Sequence, residues 1–273
     1  MVYWVETKEG DPMKQKKILI ALFLLLVLAL GGLLSAKPLY NFYRDISFSW
    51  KERTPTEQAV KAYAEQMGIS YGEYPQYLID LWENNPETRE FVLNYPFREE
   101  GEVDLSAYEG SPNMPLFLQW DPQWGYEDYG SSCIAITGCG PTCLAMVGYH
   151  LTGDSNMTPE KIAKFAEKNG YYERGYGSSW TLISEGSAKL GLTATELPLV
   201  KQKMVDALEA GSPIILALGP GVFTSTGHYI VLTGYTGDSF TINDPNSRVS
   251  SERAWSYEEL EPQIRNIWAI SLQ

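Results

Sequence analysis

Histidine and cysteine are scarce in this 273-residue chain: two His, at 150 and 228, and three Cys, at 133, 139 and 143. The spacing Cys-x5-Cys-x3-Cys-x6-His fits no zinc pattern, because those patterns begin with a short chelating pair. No metal or other cofactor is expected. The odd count excludes a fully paired disulfide framework, since at least one thiol stays free. Positive charge is also short. Residues 37–273 carry 17 basic against 31 acidic side chains, a net charge of -14. Phosphate contacts need clustered Lys and Arg, so nucleic acid is excluded as a partner. Neither an internal repeat nor a low-complexity tract is present. With 44% apolar and 20% charged residues, the usage is globular rather than disordered or collagen-like.

One window is different in kind. Residues 18–36 hold no charge and are mostly Leu, Ala, Val and Ile. As a helix these 19 residues span about 28 Å, close to the thickness of a hydrocarbon core. The apolar region of a signal peptide is shorter, about 7–15 residues. The window therefore predicts a transmembrane anchor, with a cleaved signal as the alternative; Leu34-Ser35-Ala36 is a poor cleavage site because Leu34 is large. Lys14, Lys16 and Lys17 precede the span, so residues 1–17 are expected in the cytoplasm and the body outside the cell. The chain is then a single-pass cell-membrane protein, or a secreted one if the segment is removed.

Residues 37–113 read as a helical juxtamembrane segment and linker. Thr54-Pro55-Thr56-Glu57 supplies an N-cap, a proline at the first helical position and a capping-box Glu. Further helices are predicted over 75–84 and from Asn85-Pro86 onward. Nothing in these residues suggests chemistry. The acidic, polar stretch 99–113 reads as the linker, so residues 114–273 are expected to form the functional domain. There, helices are predicted over 139–151, 159–169 (with Thr158 as cap), 182–190 and 200–210. Strand-like runs follow at 213–218, 228–235, 239–243 and 267–272. Helices first and an antiparallel sheet second is an α+β pattern.

Cys139 lies in Thr137-Gly138-Cys139-Gly140-Pro141-Thr142, a turn that opens a helix. A thiol there meets the positive end of the helix dipole and N–H groups without intrahelical partners, which favours the nucleophilic thiolate. Cys143, one turn on, reads as a buried core residue. Cys133 is a loop thiol or a disulfide partner of Cys143. A thiol nucleophile needs a base, and the base an orienting group. His228 starts an apolar strand, and the chain returns as 239–243 before Asp244. A hairpin centred on Thr236 places 228 and 244 directly opposite on one face; a centre one or two residues later leaves them near neighbours. His150, at a helix C-terminus, reads as structural. The aromatics Trp120, Trp124, Tyr126 and Tyr129 fit either a binding groove or core packing.

Three blocks in order, Leu116-Phe117-Leu118-Gln119-Trp120-Asp121, Gly138-Cys139-Gly140-Pro141-Thr142 and Gly227-His228-Tyr229-Ile230-Val231 with Asn243-Asp244-Pro245-Asn246, resemble the C39-like cysteine peptidases. The resemblance covers about 114–273. It implies a papain-like fold, a peptide or protein substrate, Cys139 as nucleophile, His228 as general base and acid, Asp244 as its orienter and Gln119 as a donor to the oxyanion. The 20 residues between Gln119 and Cys139 exceed the spacing of compact members, so the insert must loop out and return. A membrane-anchored extracellular cysteine peptidase is the leading expectation. A peptidoglycan amidase or endopeptidase and a catalytically silent surface binding module are the alternatives.

Overall fold

The computed structural model describes residues 36–48, 52–99 and 101–273. The expected span at 18–36 lies outside the described residues except for Ala36, and among the described residues no helix is long and apolar enough to cross a membrane. The chain divides into two compact units, Met1–Ile79 and Asp80–Gln273.

In the first unit, helices Ala36–Phe48 and Pro55–Met67 precede a 3-10 turn, Tyr71–Glu73. The capping box at Thr54 is formed in both directions with Glu57, and Gly68 ends the helix in the left-handed region at φ 69°. Val60, Ala64 and Tyr71 are buried. Asp45 accepts hydrogen bonds from Ser70 Oγ at 2.7 Å and Tyr71 N at 3.0 Å, tying the first helix to the 3-10 turn.

The second unit opens at Asp80, well before the boundary at 114 suggested by composition. Side-chain contacts explain why. Phe91 stacks on Tyr126 with ring centroids 4.1 Å apart, and the Tyr126 hydroxyl donates to Phe91 O at 2.8 Å. Neither partner reveals the other in sequence.

Among the described residues nine strands lie in this unit. Two short hairpins pair β1 (Asp128–Tyr129) with β2 (Ser132–Cys133), and β3 (Tyr172–Glu173) with β4 (Gly177–Ser178). The main sheet is antiparallel throughout, in the order β5-β9-β6-β7-β8. Its strands are β5 (Leu192–Glu196), β6 (Ile214–Leu218), β7 (His228–Thr236), β8 (Ser239–Asn243) and β9 (Ile264–Leu272). β5 and the two small hairpins have no apolar run long enough to announce them. The helix expected over 182–190 is broken into Thr181–Ser184 and Gly186–Lys189. At Thr158 the expected cap is not made; its hydroxyl donates to Glu160 at 2.6 Å instead.

The strands alternate between two cores, as a sheet covered on both faces must. Ile215, Ala217, Tyr229, Val231 and Trp268 face one cluster, which holds the helix Cys139–Thr152. Leu216, Ile230, Leu232, Ile242 and Ile267 face the other, with Met204 of helix Lys201–Glu209. Helix Cys139–Thr152 is buried from Gly140 to Tyr149, which fits its almost continuous apolar sequence. Its start, and the starts and ends of β7 and β8, carry the residues of interest.

Candidate active site

Gly138 ends the short helix Ile134–Thr137 and precedes helix Cys139–Thr152 with φ -92° and ψ 13°. Cys139 is therefore the first residue of a buried helix. Its own N–H belongs to the first turn, where no intrahelical acceptor exists. Thr142 steadies the turn from behind, its N and Oγ1 donating to Gly138 O at 2.9 and 2.7 Å. Next to the thiol, Gly140 has no room for a side chain: a Cβ would stand 2.8 Å from both Cβ and Oγ of Ser178. Ser178 is held by the Tyr129 hydroxyl at 2.7 Å and, through its carbonyl, by the Tyr229 hydroxyl at 3.2 Å, so it cannot retreat freely. Gly140→Ala should cost about 1–3 kcal/mol of stability by overpacking. Urea denaturation checks this, and an unchanged midpoint would show that the helix and β4 can separate without cost.

His228 and Asp244 meet at 2.7 Å, imidazole Nε2 to Oδ1, both buried. The route differs from a hairpin centred on Thr236. The turn is Gly237-Asp238, both at positive φ (56° and 69°), as a two-residue hairpin loop requires. From that centre an unbroken ladder would set Asp244 opposite Val231, which faces the cluster that holds helix Cys139–Thr152. A register shift between Leu232 and Gly234 intervenes, leaving Thr233 as the extra residue. Beyond it Val231 pairs with Asn243, the last residue of β8, and Asp244 follows directly. The bulge thus sets the register at the end of β8, because a one-residue slip reverses every side chain after it.

With Nε2 facing Asp244, Cys139 lies close enough to His228 to act on the imidazole electrostatically, and the two residues share one cleft. Burial alone would lower the imidazole pKa. The Asp244 carboxylate and the Cys139 sulfur outweigh it and push His228 up to about 10. The imidazolium form is therefore favoured in this pocket. Asp244 Oδ1 also accepts from Asn246 N at 2.8 Å.

The insert after Gln119 does loop out and return. Gln119 Nε2 donates to Ala135 O at 2.7 Å, Ala135 N to Gly125 O at 3.0 Å, and Ile134 N to Glu127 O at 2.9 Å. Gln119 N donates to Pro245 O at 2.7 Å, joining this segment to the residue after Asp244. The side chain is buried between the two limbs, with one amide hydrogen not used by Ala135.

Cys139 and His228 line a cleft of about 430 Å³. Its wall includes the β3–β4 hairpin and the start of helix Thr181–Ser184, which contribute Glu173, Tyr176, Ser178 and Trp180. Tyr176 is 87% exposed and Trp180 49% exposed. These are the cleft residues that sequence reasoning missed. Large aromatics left exposed beside a nucleophile were the available signal. Trp120, Trp124 and Tyr129 are buried packing instead, Trp124 Nε1 donating to Leu118 O at 2.8 Å. Among the described residues no group of three or more His, Cys, Asp or Glu is placed to hold a metal ion.

All three cysteines are unpaired, so Cys133 and Cys143 form no disulfide here. Both are buried. Burial pushes the Cys133 thiol up to about 11 and that of Cys143 well above its ordinary value. Iodoacetamide should therefore modify Cys139 first in the folded protein, as peptide mapping over a time course would record. Faster labelling of Cys133 or Cys143 would contradict the burial order.

The Peptidase_C39 like family model matches residues 112–271. The chain belongs to that family. Three solved structures are similar at low identity. The peptidase domain of Streptococcus ComA, a bi-functional ABC transporter of a quorum-sensing pathway, is 21% identical with a TM-score of 0.41, covering 50% of this chain and 93% of that one. A double glycine motif protease from an AMS/PCAT transporter, in complex with the leader peptide, is 18% identical with a TM-score of 0.37, covering 60% and 93%. A protein described as a C39-like peptidase from Bacillus anthracis is 18% identical with a TM-score of 0.34, covering 62% and 98%. No curated protein matches.

Proposed function

We propose that the protein is a membrane-anchored extracellular cysteine peptidase that hydrolyses peptide bonds by a Cys-His-Asp thiol mechanism. The observation that carries this reading is a buried His228 hydrogen-bonded to Asp244 and lining one open cleft with a thiol at a helix start. His228 takes the Cys139 proton, and the thiolate attacks the scissile carbonyl carbon. The oxyanion is stabilised by the Cys139 N–H and the spare amide hydrogen of Gln119. His228 then protonates the leaving amine. Water, deprotonated by His228, attacks the thioester and releases the acid with the free thiol. No cofactor takes part.

The substrate is a peptide or protein segment. Exposed Tyr176 and Trp180 supply apolar contact along the cleft. Trp180→Ala should raise KM about 10-fold with a smaller change in kcat, as loss of uniform substrate binding does. Steady-state kinetics on one peptide would test it, and an unchanged KM would take Trp180 out of the cleft's contacts.

The anchor rests on residues 18–36 and the lysines before them. Exposed Tyr40 and Tyr43 on helix Ala36–Phe48 are of a residue type enriched at membrane–water interfaces. Protease shaving of intact cells should release the body from the cell. Retention of the body inside a protected compartment would reverse the orientation.

Peptide hydrolysis by purified protein, compared with a natively folded Cys139→Ala variant, tests the activity itself. Equal rates would overturn the thiol mechanism. Solubilisation of peptidoglycan without hydrolysis of linear peptides would move the substrate to the cell wall.

A further inference from the structure

Asp244 sits in a loop held by residues from far away in sequence and outside the family-matched stretch 112–271. Asn85 and the 3-10 turn Pro86–Thr88 belong to the same compact unit as this loop. Two routes lead from them to Asp244. Along the first, buried Asn85 donates from Nδ2 to Asn246 O at 2.7 Å and to Asn246 Oδ1 at 3.2 Å. Trp120 Nε1 donates to the same Asn246 carbonyl at 2.9 Å. Asn246 N in turn donates to Asp244 Oδ1, the oxygen that faces His228. Along the second, the Glu87 carboxylate accepts from Ser247 Oγ at 2.6 Å and Arg248 N at 2.9 Å. It thereby holds the start of the short helix Arg248–Ser251. Ser251 Oγ at the far end donates to Ser247 O at 2.7 Å and accepts from Asp244 N at 2.9 Å.

The Asn85 amide is fully committed. Its Oδ1 accepts from Glu87 N at 3.1 Å, which sets the turn that presents Glu87. One residue thus shapes the turn and grips the loop. A surface ion pair would be worth little here. This is a set of directed bonds converging on one residue, at its carboxylate through Asn246 N and at its backbone N–H through Ser251 Oγ, and a reacting group displaced by about 1 Å can lose 100-fold in rate.

We propose that Asn85 and Glu87 are positioning residues of the peptidase site, holding Asp244 in place against His228 through Asn246 and the turn Arg248–Ser251. The proposal rests on the Cys139–His228–Asp244 reading above. It gives the segment before the family-matched domain a role in the reaction although it carries no reacting group. Asp244 first, and Cys139 after it, raise the pKa of His228 against the effect of burial. Glu87 and Arg248 are the charged groups of the brace.

The test uses the full chain and the variants Asn85→Ala, Glu87→Ala and the pair together, with His228→Gln and Leu260→Ala as comparisons. Leu260 is a buried residue of the other core, so its variant reports general loss of stability. The readouts are kcat and KM on one peptide, and the pH profile of Cys139 alkylation. In the wild type the alkaline limb of that profile should depend on His228. Each brace variant should lower kcat about 10- to 100-fold with little change in KM. The limb should move to lower pH by about half a unit or more, because a carboxylate held less firmly supports the imidazolium less. Leu260→Ala should lower thermal stability without moving the limb. A His228-dependent limb that stays put in the double variant, or that moves as far in Leu260→Ala, would overturn the positioning role alone. A wild-type limb that His228→Gln leaves unchanged would remove the underlying site reading and the proposal with it.

Discussion

Cys139→Ala protein should fold normally and hydrolyse no measurable peptide. The loss expected is about 10⁶-fold, the size found when the nucleophile of an acyl-transfer triad is removed from other peptidases. The substitution removes one sulfur from a residue that is only partly buried at a helix start, and alanine is an excellent helix former, so the fold should survive. His228→Ala should fall to a similar floor, because a thiol without its base cannot deliver a proton to the leaving amine. The two losses should not add, since members of one catalytic unit fail together. Asp244→Asn should do less harm, for an amide can still hold an imidazole by a hydrogen bond, as in papain-like Cys-His-Asn sites. Gln119→Ala should slow acylation about 100- to 1,000-fold if the spare amide hydrogen reaches the oxyanion. Burst kinetics with an activated ester would read acylation separately. Undiminished turnover by the Cys139→Ala protein would sink the thiol mechanism.

Asp244→Ala should change the pH behaviour more than any other substitution. In the folded wild type His228 titrates up at about 10. Without the carboxylate only burial and the thiol remain to act on it, and burial, which lowers the pKa, is the larger influence. The imidazole should then titrate near or below the free value of about 6.5. At pH 7 the imidazole would then be largely neutral instead of protonated. Cys139 alkylation at that pH should slow accordingly, and the His228 ring signals in NMR should titrate several units lower. Stability follows the same linkage. His228 has a higher pKa folded than unfolded, so its protonation favours the folded state. That contribution is complete below about 6.5 and is lost as pH rises through about 10. Thermal midpoints measured between those limits should fall more steeply with pH in the wild type than in His228→Gln. Equal slopes would show that the proton on His228 is not coupled to folding.

Much of the site was legible because its parts are local. Cys139 at a helix start can be read from Gly138, Gly140 and Pro141, residues that punctuate a helix whatever surrounds them. The bounds of β8 coincide with the apolar run at 239–243, and β7 begins at His228 as its sequence indicates. The capping box at Thr54 and Glu57 needs only three residues of separation. Even the nearness of His228 and Asp244 follows from two strands joined by a short turn.

Other features depended on partners that local sequence does not name. The helical propensity of 85–97 is plain, but its attachment to the loop after Asp244 is made by Asn85 and Glu87 across some 160 residues. The cleft wall is a two-residue-per-strand hairpin, too short to carry a periodic signal. Trp120 and Trp124 differ from Tyr176 and Trp180 in burial, not in kind, so groove and core could not be told apart from residue type.

By itself, then, the sequence determined which residues begin a helix, which begin a strand and which chemistry they carry, because capping, turn residues and alternation act over a few positions. The tertiary structure decided which way they point. The bulge at Thr233 sets the register at the end of β8, the return of the 120–135 loop sets Gln119 against Ala135, and the brace from Asn85 and Glu87 holds the loop beyond β8. Each of these rests on a pairing between distant segments, whose register is settled only when both are packed against the same sheet.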